Sequence, residues 1–298
     1  MYDIIIVGAG PAGLTAAIFA RRARKNVLVL EARTYGGQII TSSVVENYPG
    51  ERKMTGADFA TKLYNQAKDL GAEVVFEKVT EITPDKEVIT TNNRYKAKAI
   101  ILATGSDHRK LGIEGEDYLV GKGLSYCATC DGAFFRNKPV AVAGGGDTAV
   151  EESLYLSDIA SKVYLIHRSE ELNGDSSNID ALKSRDNIEI IHNSNITKLV
   201  YDNLLSAIEV TNKDGEVRTI DINGLFIAVG RVPENQNFSK LVNLDEAGYI
   251  IASEDCKTNV DGIFVAGDNR TKSLRQLVTA TSDGAMAATN AIKYINNL

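Results

Sequence analysis

The chain has 298 residues, long enough for two cores of ordinary size. Hydrophobic residues make up 44% and charged residues 24%, a balance that excludes a disordered chain and fits a soluble globular one. A formal net charge of -6 supplies no basic footprint for a phosphate backbone, so nucleic acid is not expected as a partner.

The apolar run Ile4-Ile5-Ile6-Val7 starts beside Met1, has no basic flank and ends in glycine. It therefore reads as a buried strand over 3–7 rather than a signal peptide or a membrane span, and a cytoplasmic protein is expected. A tight turn over 8–13, a helix over 14–24 and a strand over 27–30 complete a β-α-β unit. Short β-rich stretches follow at 73–79 and 87–90. The first pattern then returns, with a strand over 140–143, a turn over 144–149, a helix over 150–159 and a strand over 163–166. Further strands are expected at 188–192 and 208–212, with Asp214-Gly215 as a turn. The Ala and Leu spacing of 273–295 suits a helix that packs back on the first unit. The expected fold is α/β, with two Rossmann-like three-layer nucleotide-binding domains. Residues 1–114 and 243–298 form the first, and 115–242 form a second domain inserted in it.

Gly8-Ala9-Gly10-Pro11-Ala12-Gly13 lies between strand and helix, and Glu31 ends the next strand roughly 20 residues on, which completes a dinucleotide fingerprint. Gly8 permits the tight turn and Gly10 lets the backbone approach a pyrophosphate at the helix N-terminus. Gly13 lets helix and strand pack closely, and Glu31 can accept from ribose hydroxyls. The fingerprint does not tell FAD from NAD, because both present the same adenosine diphosphate half.

Three cysteines in a chain of this length are no disulfide framework, and a close pair in a reducing compartment is catalytic or metal-binding. Cys127-Ala128-Thr129-Cys130-Asp131 places two thiols within reach of a small disulfide ring, followed by a carboxylate able to relay a proton. Zinc would want a second ligand pair, and His108, His167 and His192 lack ligand spacing. Cys256 stands alone and reads as an inert buried thiol.

Several segments resemble those of the low-molecular-weight thioredoxin reductases: Gly36-Gly37-Gln38, Glu46-Asn47-Tyr48-Pro49-Gly50, Ala103-Thr104-Gly105, Gly267-Asp268, and the run from Ser125 to Gly132, which matches Ser-x-Cys-Ala-x-Cys-Asp-Gly. The likeness covers essentially the whole chain. It implies FAD as cofactor, with Gly37 and Gln38 along the flavin and Asp268 on its ribityl chain. Asn47, Val79, Ala103, Thr104, Gly105, Gly267, Arg275 and Gln276 complete the implied site. Read from the residues alone, Asp268 could equally cap a helix. The resemblance further implies that Cys130 faces the flavin, that Cys127 attacks the disulfide of thioredoxin, and that Asp131 protonates the leaving thiolate. A helix-capping role for Asp131 stays open. A homodimer and a rotating inserted domain are also implied.

The second glycine turn, Gly144-Gly145-Gly146-Asp147-Thr148-Ala149, resembles the nicotinamide-cofactor turn of these enzymes. NADPH-dependent members follow it with His-Arg-Arg-x-x-x-Arg, because a 2'-phosphate needs several fixed guanidinium donors. This chain reads His167-Arg168-Ser169-Glu170-Glu171-Leu172-Asn173. It is therefore similar to the branch that takes electrons from reduced ferredoxin, with NADH or NADPH as the alternative donors. A flavin-dependent dithiol oxidase and a redox sensor without turnover are the rival functions.

Overall fold

The computed structural model describes residues 1–42 and 44–298. The chain divides into two units, Met1–Asp107 with Val232–Leu298, and His108–Arg231. Both boundaries fall earlier than the 114/115 and 242/243 expected from sequence. The crossings run through two short strands, Ser106–His108 and Arg231–Pro233, which pair with each other. No glycine-rich or proline-rich linker marks them, so composition gave no sign of the place.

The first unit opens with β1 (Tyr2–Val7), α1 (Pro11–Arg22), β2 (Val27–Glu31) and, after a 3-10 turn at Gly37–Thr41, α2 (Gly56–Asp69). It continues with β3 (Glu73–Phe76), β4 (Val79–Ile82), β5 (Glu87–Thr90), β6 (Arg94–Leu102) and β7 (Ser106–His108). Helix α1 begins earlier than its apolar spacing suggests because Pro11 sits at its first turn, where a missing N–H costs nothing. The stretch 73–79 is two strands rather than one. β3 runs parallel to β2, whereas β4 turns away to pair antiparallel with β5.

The second unit holds α3 (Glu116–Leu119), β8 (Leu124–Ser125), α4 (Ala128–Asp131), β9 (Pro139–Ala143), α5 (Asp147–Ser157), β10 (Lys162–Ile166), α6 (Ser176–Lys183) and β11 (Ile188–Ile191). β12 (Ser194–Tyr201), β13 (Leu205–Asn212), β14 (Val217–Asp221) and β15 (Gly224–Ile227) follow, and β16 (Arg231–Pro233) returns the chain to the first unit. There it adds β17 (Ile263–Val265) and α7 (Leu277–Asn296). Helix α7 starts at Leu277 rather than 273 because Gln276 and Thr279 form a reciprocal capping box at its entry.

Each unit is built around parallel strands, with the strand that leads into the glycine turn near the middle, and in the first β5 and β4 extend the sheet antiparallel. The first sheet runs β3-β2-β1-β6-β5-β4, with β17 also on β6. The second runs β11-β10-β9-β15-β8, beside a separate antiparallel β12-β13-β14 sheet. The middle strands are apolar on both faces, as strands covered by helices must be: Ile4, Ile5 and Ile6 in β1 and Val140, Ala141 and Val142 in β9 are fully buried. These are the two Rossmann-type units expected from the repeated pattern. Among the described residues no helix is long and apolar enough to cross a membrane.

One buried ionic cluster ties the end of the chain to the first unit. Asp283 on α7, 4% exposed, accepts from the Gly267 amide at 2.9 Å, from Arg270 Nε and Nη2 at 2.8 and 2.9 Å, and from Lys272 Nζ at 2.9 Å. Burial works to raise its pKa, but the bonds from Arg270, Lys272 and Gly267 prevail and hold the carboxyl below its usual range. A carboxyl with a depressed folded-state pKa contributes stability that is present above the unfolded value and lost as pH falls through the folded one. The cluster is thus intact at neutral pH and fails only in acid. D283N leaves the buried Arg270 guanidinium with only the exposed Glu254 as counter-charge. It is expected to lower unfolding stability by about 3 to 5 kcal/mol in a denaturant titration at neutral pH, and by much less at a pH where Asp283 is already protonated.

Candidate active site

The turn between β1 and α1 is set by close backbone approach. Gly8 has φ +111°, and a Cβ there would lie 2.3 Å from the Ala103 carbonyl oxygen. A Cβ on Gly13 would lie 1.9 Å from the oxygen of Gly8. Both glycines are therefore required by packing alone. Gly10 is different. It precedes α1 in extended backbone with φ -77°, and a Cβ on it would meet only Gly37 Cα, at 4.0 Å. The fold gives no reason for glycine there, and the open space faces the N-terminus of α1, where phosphate groups bind. Glu31 closes the turn from β2, accepting from the Ala9 amide at 2.8 Å and the Arg33 amide at 2.9 Å.

Of the other expected site residues, Gly37 and Gly267 approach this turn, and others have partners elsewhere. Gly37 (φ +59°) approaches Gly10, and Gln38 donates to Asp107 at 2.5 Å. Asn47 Nδ2 donates to the Gln276 side chain at 3.2 Å, joining two residues 229 positions apart. Gly267 (φ +94°) lies against Ala12, since a Cβ on it would come within 2.9 Å of that residue's Cβ. Arg275 stacks on the Tyr249 ring at 4.1 Å and donates to the carbonyls of Asp268 and Arg270. Asp268 lies well before Gln276, the cap of α7, so the helix-cap alternative does not apply to it there. Gly105 follows with φ +72° and open space around it. Val79 sits apart from these, in the apolar core with Val7 and Leu30.

Two residues without a motif complete the arrangement. Asn235 and Asn269 are fully buried, and both bond Thr104: its hydroxyl donates to Asn235 Oδ1 at 3.2 Å and accepts from Asn269 Nδ2 at 3.0 Å. Asn235 Nδ2 also donates to the Asn269 carbonyl at 2.7 Å. The sequence offers no signal for them beyond an amide between turn residues.

In the second unit Cys127 and Cys130 are joined as a disulfide at the start of α4, with Cα atoms 5.3 Å apart. The amides of Cys130 and Asp131 both donate to the Cys127 carbonyl, at 3.2 and 3.1 Å. Ser125 braces the turn, since its hydroxyl donates to Asp131 Oδ2 at 2.6 Å and accepts from the Cys127 amide at 3.1 Å. Burial raises the Asp131 pKa against the opposing bond from Ser125. Its carboxyl is part-buried rather than an exposed cap. Glu152 of α5 also reaches this turn, through the Ala128 amide at 3.1 Å. Cys256, by contrast, is fully buried, and burial pushes its thiol up to about 12, as befits an inert core residue.

The second glycine turn repeats the first in shape. Gly144 (φ +150°) lies where a Cβ would come within 2.4 Å of the Ala228 carbonyl oxygen, and Gly146 precedes α5 in extended backbone. Its surroundings differ. His167 directly follows β10, in the place that Glu31 takes at the end of β2, and the imidazole fills the space beside Gly145, which could not carry a Cβ without striking Nδ1 at 1.9 Å. Arg168, Ser169, Glu170 and Glu171 are exposed, and the Asn173 amide donates to the Gly145 carbonyl at 2.7 Å.

Residues 2–284 match the pyridine nucleotide-disulphide oxidoreductase family. The chain is 45% identical to a thioredoxin reductase of Listeria monocytogenes over 100% of its own length and 95% of that protein's, and 40% identical to one of Bacillus subtilis over 100% and 96%. Its fold superposes on the crystal structure of a Streptococcus pyogenes thioredoxin reductase with a TM-score of 0.94, at 38% identity, covering 100% of this chain and 99% of that one. The chain belongs to the pyridine nucleotide-disulphide oxidoreductase family. Within it, the protein is an FAD-dependent disulfide oxidoreductase of the thioredoxin reductase type. The first unit fits that cofactor, because the space at Gly10 and Gly37 and the open N-terminus of α1 are what a dinucleotide pyrophosphate requires.

Purified protein is expected to be yellow, with about one FAD per chain. Gly10→Val should remove the flavin while leaving the far-UV circular dichroism unchanged, because a Cβ there meets no protein atom closer than Gly37 Cα at 4.0 Å. Undiminished flavin in that variant would remove this turn from the cofactor site.

Proposed function

We propose that the chain is a thioredoxin reductase that moves electrons from FAD through Cys127 and Cys130 to the disulfide of a thioredoxin. The observation that carries this reading is the redox turn itself, a bridged cysteine pair at the start of a helix beside a half-buried carboxyl with raised pKa. The full-length likeness to proteins named thioredoxin reductase supports the choice of substrate. FAD, when bound, stores two electrons and accepts them singly or as hydride.

The chain's own groups carry the exchange. The Cys127–Cys130 disulfide takes up two electrons and one proton, leaving a thiolate on Cys127 and a thiol on Cys130. The Cys127 thiolate attacks one sulfur of the partner disulfide, forming a mixed disulfide and expelling the other sulfur as thiolate. Asp131 gives that thiolate a proton and regains one from solvent, a task suited to a carboxyl whose burial favours the protonated form. Cys130 then attacks the Cys127 sulfur, its proton passing to the second leaving thiolate. The pair is again a disulfide, and the partner leaves as a dithiol. Cys130→Ser should therefore accumulate a mixed disulfide through Cys127 with a thioredoxin lacking its resolving cysteine. A stable adduct formed only by Cys130, in Cys127→Ser, would reverse the two roles.

Electrostatics assigns the donor in this proposal to an iron-sulfur protein, reduced ferredoxin, rather than NADPH. Ser169 and Asn173 stand where two guanidinium groups would hold a 2'-phosphate, and each lost charge-assisted bond is worth about 1.5 to 3 kcal/mol, roughly one to two decades of affinity. Glu170 and Glu171 add negative charge to the same exposed segment. His167 offers a ring where Glu31 offers a carboxylate, so a ribose acceptor is missing as well. In anaerobic stopped flow, reduced ferredoxin should bleach the flavin rapidly, with NADH and NADPH slow or inert. Fast bleaching by micromolar NADPH would overturn the ferredoxin assignment and leave the disulfide chemistry in place.

A further inference from the structure

Helix α4 starts at a residue that cannot cap it. Cys127 occupies the cap position, its sulfur is bonded to Cys130, and its side chain makes no capping hydrogen bond. The exposed first turn of any helix presents amide groups that need acceptors. Here the acceptors are borrowed: Ser125 takes the Cys127 amide at 3.1 Å, and Glu152 Oε1 takes the Ala128 amide at 3.1 Å. The borrowing depends on how closely α5 underlies the redox turn. A Cβ on Gly132 would lie 3.0 Å from Tyr155 Cε1 and 3.1 Å from Leu156 Cδ2. Glu152, Tyr155 and Leu156 stand three and four positions apart on α5 and so share the face that meets this turn.

We propose that Glu152 is a positioning residue for the redox pair, lending α4 its N-terminal cap and setting a carboxylate charge one residue from the sulfur that must become a thiolate. The proposal rests on the reading of Cys127 and Cys130 as the working pair and adds to it a residue outside the cysteine motif. Glu152 Oε2 is buried with no hydrogen-bond partner among the described residues, so the carboxylate is held through one oxygen only. Burial pushes its pKa up to about 7, against the pull of the Ala128 amide and of Arg231. The charged groups bearing on it are Arg231, which favours its ionised form, and Glu151 on its own helix, which opposes it. From α4 the group that meets it is the Ala128 amide. A negative charge on Glu152 disfavours a second one on Cys127, so removing the charge lowers the pH at which the thiolate forms.

The test uses the full-length flavoprotein, reduced with dithiothreitol under anaerobic conditions, with Cys127 alkylation by iodoacetamide followed by peptide mass spectrometry across neutral pH. In wild type the thiolate profile should be broad, spread by the ionisation of Glu152 near 7. E152Q keeps an oxygen for the Ala128 amide but loses the charge. Its profile should sharpen and move down by about half a pH unit or more, equivalent to roughly threefold more thiolate at neutral pH. Turnover with a thioredoxin disulfide should persist in E152Q and fall in E152A, which loses cap and charge together. Superimposable profiles for wild type and E152Q, or equal turnover in E152Q and E152A, would overturn the proposal. Should E152Q not fold, a sharp single ionisation in wild type overturns it and a broad one supports it. A wild-type Cys127 that stays unreactive at every pH, with Cys130 labelled instead, overturns the assignment of the pair and the proposal with it.

Discussion

The first unit depends on what closes around Ala12. Its carbonyl faces Gly284, where a Cβ would lie 2.2 Å from the oxygen, and its methyl group faces Gly267. Helix α7 can approach α1 this closely only where a side chain is missing, and the Asp283 cluster, one residue earlier, holds it in place by gathering the Gly267 amide with Arg270 and Lys272. The same loop leads on to Arg275 and Gln276. The last helix of the chain therefore sets the geometry of the first turn.

The two units show how one backbone plan carries two electrostatic settings. Gly8 and Gly144 make the same strained approach to a carbonyl of a neighbouring strand end, and Gly10 and Gly146 open the same space before a helix. In the first unit a carboxylate clamps the turn amide, and side-chain bonds join Asn47 to Gln276 and Asn269 to Thr104. In the second an imidazole fills the corner, and the strand leads into a segment bearing two glutamates. Shape is inherited by both turns, whereas charge distinguishes them.

Much of this was legible in the sequence because it is local. A strand of isoleucines, a glycine turn and a helix lie within a few residues of each other, and their spacing names the unit before any contact is known. The cysteine turn was legible for the same reason. Strand 73–79 was read as continuous because the break at Glu77-Lys78 is dictated by a change of pairing partner, which periodicity does not record. Asn235 and Asn269 were missed because their meaning lies in Thr104, far away along the chain. Glu152 was missed because an acidic residue on a helix ordinarily faces water, and only the packing of α5 beneath α4 buries it.

The interrupted first unit also imposes an order on its making. Strands β1 to β6 leave the ribosome early, but the sheet they form lacks β17, and α1 lacks the helix that covers it, until the final residues appear. The inserted unit is contiguous, from His108 to Arg231, so it has everything it needs while the first is still open. The domain that starts first is finished last. During synthesis its apolar strand faces wait for α7 to cover them, so the docking of α7 is the step that ends this unit's exposure to aggregation and to chaperones.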